Sequence, residues 1–264
     1  MQSFLDKDFG LALGTLGMGL NGVRDYADFP VFSAIEFPLE MFTTDHAELF
    51  RRIPHDKYHE VHCSGIMDRD LSGTIAFAPR NLQNDFADQA VQILDQICAG
   101  NCFTATLECD MDQIFNDSEA RDSLIYLLHR MTPALLKNKM TLLLPFRLPT
   151  YSPERPGMMN KFLRDSMIPG LKLRLDIHPF DIEPGTTPDE LIGPLFREVR
   201  SIMFHYDADC GSRISAKIIR SWAEIFDVYD FSGPFFLAPY SQRHRMVYPQ
   251  AESFAKIVSD LRNG

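Results

Sequence analysis

Lys172-Leu173-Arg174-Leu175-Asp176-Ile177-His178 alternates polar and apolar side chains without a break. Successive residues of an extended strand leave on opposite faces, so Lys172, Arg174, Asp176 and His178 share one face and Leu173, Leu175 and Ile177 the other. The apolar face suits a covering layer of helices, and the polar four must then line an enclosed axis. Ser201 to Asp209, SIMFHYDAD, repeats the design: an apolar run whose tip carries a histidine and acids. A polar tip on a buried strand persists only if it is paired or used, which makes both tips candidates for a working site.

Outward from these two segments the chain reads as strand and helix in alternation. Strands are expected at Gly10–Met18, Val31–Phe37, Tyr58–Gly65, Cys102–Glu108, Met140–Phe146, Leu171–His178, Ile202–Tyr206 and Gly233–Ala238. Amphipathic helices are expected at Thr44–Ile53, Leu82–Ala99, Ser118–Lys139, Glu154–Met167, Thr187–Ser201, Arg213–Phe226 and Gln250–Leu261, with Asp117-Ser118 and Thr187-Pro188-Asp189-Glu190 as start signals. Eight such units predict a closed parallel (β/α)8 barrel, a TIM barrel, as one domain over residues 1–264. An open dinucleotide-binding sheet would need GxGxxG after its first strand, and GLALGTLGMG at Gly10–Gly19 lacks that spacing.

Parity extends the inward set to Ala34 and Glu36, to Tyr58, Glu60 and His62, to Thr104, Thr106 and Glu108, and to Met203 and His205. Barrel enzymes place their chemistry at the C-terminal ends of strands. Glu36, His62, Glu108, Asp176, His178 and His205 fall there.

Composition narrows the partners. The 264 residues are 45% hydrophobic and carry a formal net charge of −10, which repels a phosphate backbone and argues against nucleic acid. The one dense basic cluster, Gln242-Arg243-His244-Arg245, reads as a solvated loop. No apolar run approaches the ~18 residues that span a bilayer, and the N-terminal MQSFLDKDFG has no basic then apolar leader pattern, so no membrane partner is expected. Five cysteines with no paired spacing predict reduced thiols and a cytoplasmic protein. Oligomeric state is not legible.

The strand tips resemble those of the xylose isomerase-like barrels, a family that includes sugar epimerases, hydroxypyruvate isomerases, inosose dehydratases and endonuclease IV. In its epimerase-like members a Glu ends strand five, strand six reads Leu-Asp-x-x-His, strand seven carries a His, and strand eight reads Gly-Pro-x-x-x-Glu-Pro. Those four acids and imidazoles hold a divalent cation, and the two glutamates move protons between adjacent sugar carbons. Leu175-Asp176, His205 and Gly233-Pro234-Phe235-Phe236-Leu237-Ala238-Pro239 match this pattern. The alignment puts Leu144 and Ala238 at the two glutamate positions and Pro179 at the strand-six histidine.

The resemblance therefore implies Asp176 and His205 as an incomplete metal pair, with Mn, Mg or Zn weakly held or absent. Glu108 or Asp110, His178 and His62 are inward groups that could rebuild a site, with His178, Asp176 and His205 as a zinc-like set. Glu108 could equally pair with Arg147 or Arg174, and Asp207 and Asp209 read as helix-start acids. Three functions follow. The first is a sugar isomerase or epimerase with Glu108 or His178 as base, Arg147 and His205 stabilising charge, and Glu36 and His62 binding a small carbohydrate. The second is a metal-free, non-catalytic sugar-binding barrel. The third, an endonuclease IV-like nuclease, is disfavoured by the charge.

Overall fold

A computed structural model describes residues 7–13, 29–42, 57–66, 78–147, 153–178, 192–207, 215–240 and 247–263. Eight strands close into a parallel barrel in sequence order. They are β1 (Phe9–Ala12), β2 (Ala34–Pro38), β3 (Glu60–Ser64), β4 (Thr104–Thr106), β5 (Thr141–Arg147), β6 (Leu171–Ile177), β7 (Val199–Asp207) and β8 (Phe235–Tyr240). The expected barrel is the observed one. Closure is made by β1 on β8, with Phe9 opposite Phe235. The Arg262 guanidinium reinforces it, donating to the Val31 and Lys7 carbonyls at 2.8 and 3.0 Å across 231 and 255 residues of sequence.

Strand parity sorts the core into two separate clusters. Between sheet and helices lies a large apolar layer holding Phe9, Ile35, Leu142, Leu173, Leu175 and Phe235. Inside the barrel a small cluster holds only Ala12, Ala34, Met203, Phe236 and Ala238. Polar side chains fill the rest of that interior, among them Glu36, His62, Thr106, Arg174 and Asp176, all buried. One placement corrects the sequence alignment. Leu144 belongs to the outer layer with Leu142 and Phe146. The inward residues of β5 are Leu143, Pro145 and Arg147, which run beside Lys172, Arg174 and Asp176. Leu144 and Ala238 thus do not face a common point, and carboxylates placed at both could not share an ion.

The described helices are α1 (Arg80–Ala99), α2 (Met111–Asn116), α3 (Ser118–Asn138), α4 (Arg155–Ser166), α5 (Ala216–Val228) and α6 (Val247–Asn263). The short α2 was not expected. Its Asp110 cap accepts from the Asp112 and Gln113 amides, so Asp110 starts a helix and does not extend β4. Asp117 caps α3 in the same way, as expected. Gly193–Glu198 forms a 3-10 turn and β7 begins at Val199, so the helix expected to run to Ser201 does not. The expected helix at Thr44–Ile53, Gly14 to Gly19, Asp209, Pro179 and the 242–245 cluster lie outside the described residues. α1 and α3 pack side by side, with Asp88 to Arg130 and Asp95 to Lys137 joined at one constant offset of 42 residues. Cys63, Cys98, Cys102 and Cys109 are free thiols, and burial pushes Cys102 up to about 12. Among the described residues no helix is long and apolar enough to cross a membrane.

Two glycines let strands approach closely. A Cβ on Gly10 would stand 2.2 Å from the Ala34 carbonyl oxygen, and one on Gly233 would stand 1.9 Å from the Arg200 oxygen. The second contact arises at a bulge. Pairing steps from Leu173–Val199 to Arg174–Ser201, which leaves Arg200 as the extra residue. Its guanidinium reaches Glu60 at 2.5 Å. Gly10→Ala and Gly233→Ala should each cost about 1–3 kcal/mol, because a backbone carbonyl cannot swing aside as a side chain can. Urea unfolding should show lower midpoints at unchanged slope; midpoints equal to the parent's would mean the strands stand further apart.

Candidate active site at the barrel mouth

The inward ends of β5, β6 and β7 open into a cavity of ≈ 430 Å³ at the C-terminal face, with Glu108, Arg147, Arg174, Asp176, His178 and His205 in its wall. Sequence parity anticipated five of these as inward, Glu108, Arg174, Asp176, His178 and His205, while Arg147 was singled out only as a charge-stabilising group. Strand register makes them neighbours, since Arg147 pairs with Asp176 and Asp176 with Met203, one inward step below His205. The wall continues on Ser64, Gly65 and α2, and on Arg155 of α4, residues the sequence did not single out. Arg155 pairs with Asp112 and lies over the rings of Phe115 and Phe146, 5.8 Å from each centroid. Its signal was present as an arginine one residue after Glu154, the expected start of this helix, and it is the first residue of α4.

Arg174 is the hub. Its Nε donates to Asp176 Oδ1 at 2.8 Å and its Nη2 to Oδ2 at 3.1 Å, while Nη1 donates to Glu108 Oε1 at 2.9 Å. Nη1 also lies 3.9 Å from Glu36 Oε2. One planar cation therefore meets carboxylates from β2, from β6 and from the segment after β4. Burial alone would raise the Asp176 carboxyl, but the Arg174 charge and the nearby His205 outweigh it and hold the group well below the usual carboxylate range. Burial would conversely weaken Arg174 as a cation, and the charges of Asp176, Glu108 and Glu36 overcome this and fix its proton.

Glu36 behaves differently. It is fully buried behind Arg174, and among the described residues neither of its oxygens has a hydrogen-bond partner of good geometry. Burial dominates and raises its carboxyl to about 7; Arg174 opposes this, and the charges of Glu108 and Asp176 add to it. A carboxyl that titrates near neutrality beneath a polar cavity is the kind of group that proton-transfer sites use.

The two histidines of the wall stack face to face, ring centroids 4.2 Å apart and 4° from parallel. His205 Nε2 lies 3.4 Å from Asp176 Oδ2, without hydrogen-bond alignment. His62 is placed elsewhere. It is fully buried, edge-on to Phe236 at 5.0 Å, with Nε2 3.4 Å from Glu60 Oε2. Burial lowers its pKa and keeps the ring neutral. It pairs directly with Glu36 in register and does not reach the cavity wall.

A divalent ion does not fit these residues. Both Asp176 oxygens are taken by Arg174, Ala238 offers no donor beside His205, and Leu144 faces the helices. Among the described residues no three His, Cys, Asp or Glu side chains are arranged to hold a metal.

No family model matches the chain, and no curated protein does. Solved structures do. A D-tagatose 3-epimerase-like protein superposes with a TM-score of 0.68 at 13% identity, covering 97% of this chain and 98% of the other. D-psicose 3-epimerase, solved in the presence of D-fructose, gives 0.63 at 14% identity over 97% and 96%. A xylose isomerase domain protein from Planctomyces limnophilus gives 0.63 at 14% identity over the whole of both chains. At such identities the likeness establishes a shared fold.

Proposed function

From a shared barrel and a polar mouth, we propose that the protein acts on a small carbohydrate, a polyhydroxylated carbonyl compound of monosaccharide size, by moving a proton next to the carbonyl. The observation that carries this reading is the ≈ 430 Å³ cavity walled by carboxylate, guanidinium and imidazole groups at the C-terminal ends of the strands. That the fold is shared with proteins described as sugar epimerases agrees with it.

In this reading Glu108 or His178 takes the proton from the carbon beside the carbonyl. The C–H electron pair becomes the carbon–carbon double bond of an enediolate, and the carbonyl oxygen gains the charge. Arg147, with His205, faces that oxygen and stabilises it. Return of the proton to the former carbonyl carbon, with the hydroxyl proton of the adjacent carbon passing to the first oxygen, isomerises the sugar, and its return to the original carbon from the opposite face epimerises it. Glu36 supports the site from below the wall as a group able to hold or release a proton.

The test is proton exchange. Incubated in D2O with a panel of aldoses and ketoses, the protein is expected to incorporate deuterium beside the carbonyl of its substrate, followed by NMR. Glu108→Gln or His178→Asn, whichever removes the base, should slow exchange by about 10²–10⁴-fold. The absence of a carboxylate at Ala238, level with His205, favours the second reading, a binding barrel without catalysis. Saturable sugar binding by calorimetry with no exchange in any sugar would select that reading and rule out the first.

A further inference from the structure

We propose that Arg174 is a built-in cation at the barrel mouth, a guanidinium that takes up the carboxylates a divalent metal would otherwise need, so that the site works without a metal. The inference comes from the placement of the three acids and holds whichever ligand the cavity takes.

Arg174 is 3% exposed and enters from the middle of β6, two residues before Asp176. One edge of its plane is bidentate on Asp176 and the other meets Glu108. The third acid, Glu36, is 3.9 Å away. These are the distances of a planar organic cation whose three nitrogens are shared among the carboxylate oxygens. A metal demands oxygens converging on one point at roughly 2.0–2.6 Å, and the described side chains offer no such point. A divalent ion added among them would also stand within a few ångströms of a guanidinium whose burial leaves little water to screen the repulsion. Sequence agrees with geometry, because β8 brings Ala238, which has no donor, to the mouth beside His205. Arg174 acts here as a positioning residue. It keeps Asp176 ionised and orients both Glu108 and Asp176 toward the cavity they line.

The experiment reads metal content and melting temperature, neither of which needs a substrate. Purified protein, dialysed without chelator, is expected to carry far less than one equivalent of any divalent metal, and its melting temperature should not respond to Mn²⁺, Zn²⁺ or EDTA. Arg174→Ala should melt several degrees lower. Roughly 10 mM methylguanidinium should restore part of the loss by occupying the vacated plane, as ligand linkage requires, and Mn²⁺ should restore less. Arg174→Lys, which keeps a charge but not the fork, should fall between the two and respond to neither. Stoichiometric metal in the parent protein would overturn the proposal. So would a Mn²⁺-dependent rise in the parent's melting temperature that Asp176→Asn abolishes, or a Mn²⁺ rescue of Arg174→Ala larger than that by methylguanidinium. If Arg174→Ala does not fold, the parent's metal content and its Mn²⁺ response decide.

Discussion

Replacing Arg174 by methionine is expected to cost about 3–5 kcal/mol of stability at neutral pH, the loss that follows when one member of a buried ionic cluster is removed and its partners stay. Methionine fills most of the volume, so cavity formation is a minor part. The cost is electrostatic: Asp176 and Glu108 lose their hydrogen-bonded counterion, and Asp176 in particular is buried. Asp176, no longer held ionised by Arg174, should respond by taking up a proton, so the loss should shrink as pH falls toward 4. Chemical denaturation at several pH values reads this directly. A loss under about 1 kcal/mol at pH 7 would mean that water, not Arg174, solvates the three acids, as it does for exposed pairs.

Glu36→Gln is expected to stabilise the protein, and only at high pH. The Glu36 carboxyl titrates near 4.5 when unfolded and about 7 when folded. Between those values the folded state binds the extra proton, so stability conferred by the protonated group is fully present below pH 4.5 and is lost as pH rises through 7. The full difference amounts to about 3 kcal/mol at 1.36 kcal/mol per pKa unit. Glutamine mimics the protonated form and escapes that loss. Parent and variant should therefore be equally stable near pH 4.5, and the variant should lead by up to about 3 kcal/mol at pH 8. Equal stability at both pH values would show that water reaches Glu36 or that a partner compensates its charge. A variant that also loses the proton exchange proposed for this site would give Glu36 a place in the chemistry beyond stability.

The sequence made β6 legible because its polar and apolar residues alternate, which fixes the phase of the strand. β5 has no such contrast: Thr141-Leu142-Leu143-Leu144-Pro145-Phe146-Arg147 is apolar nearly throughout, as strands buried on both faces are. Its phase could be set only from its end. Arg147 and Leu144 are an odd number of residues apart, so an inward Arg147 already placed Leu144 outward, against the motif alignment. The convergence of Glu36, Glu108 and Asp176 on Arg174 lay beyond reading for another reason. Which residues of β2 and β6 face each other across an axis depends on the stagger of the closed barrel, a property of all eight strands together. The helix α2 was missed because six residues show too little periodicity, although its two aspartate caps, Asp110 and Asp117, were visible.

Closure of the barrel by β8 on β1 sets the order in which this chain can acquire its structure. Phe9 finds Phe235 only after every intervening strand exists, and the Arg262 bonds to Lys7 and Val31 form later still in synthesis. Until β8 has been synthesised β1 has no strand to close on, and any sheet formed by the earlier strands is open with two unpaired edges. In that interval the acids of the axis are wet, Glu36 is an ordinary ionised carboxylate, and water opposes none of the charges gathered around Arg174. Joining the first strand to the last therefore also dries the interior and raises Glu36 to near neutrality. Refolding of the parent protein should accordingly include a late, slow phase accompanied by proton uptake at pH 6–7, visible with an indicator dye, and Glu36→Gln should keep the phase while losing the proton.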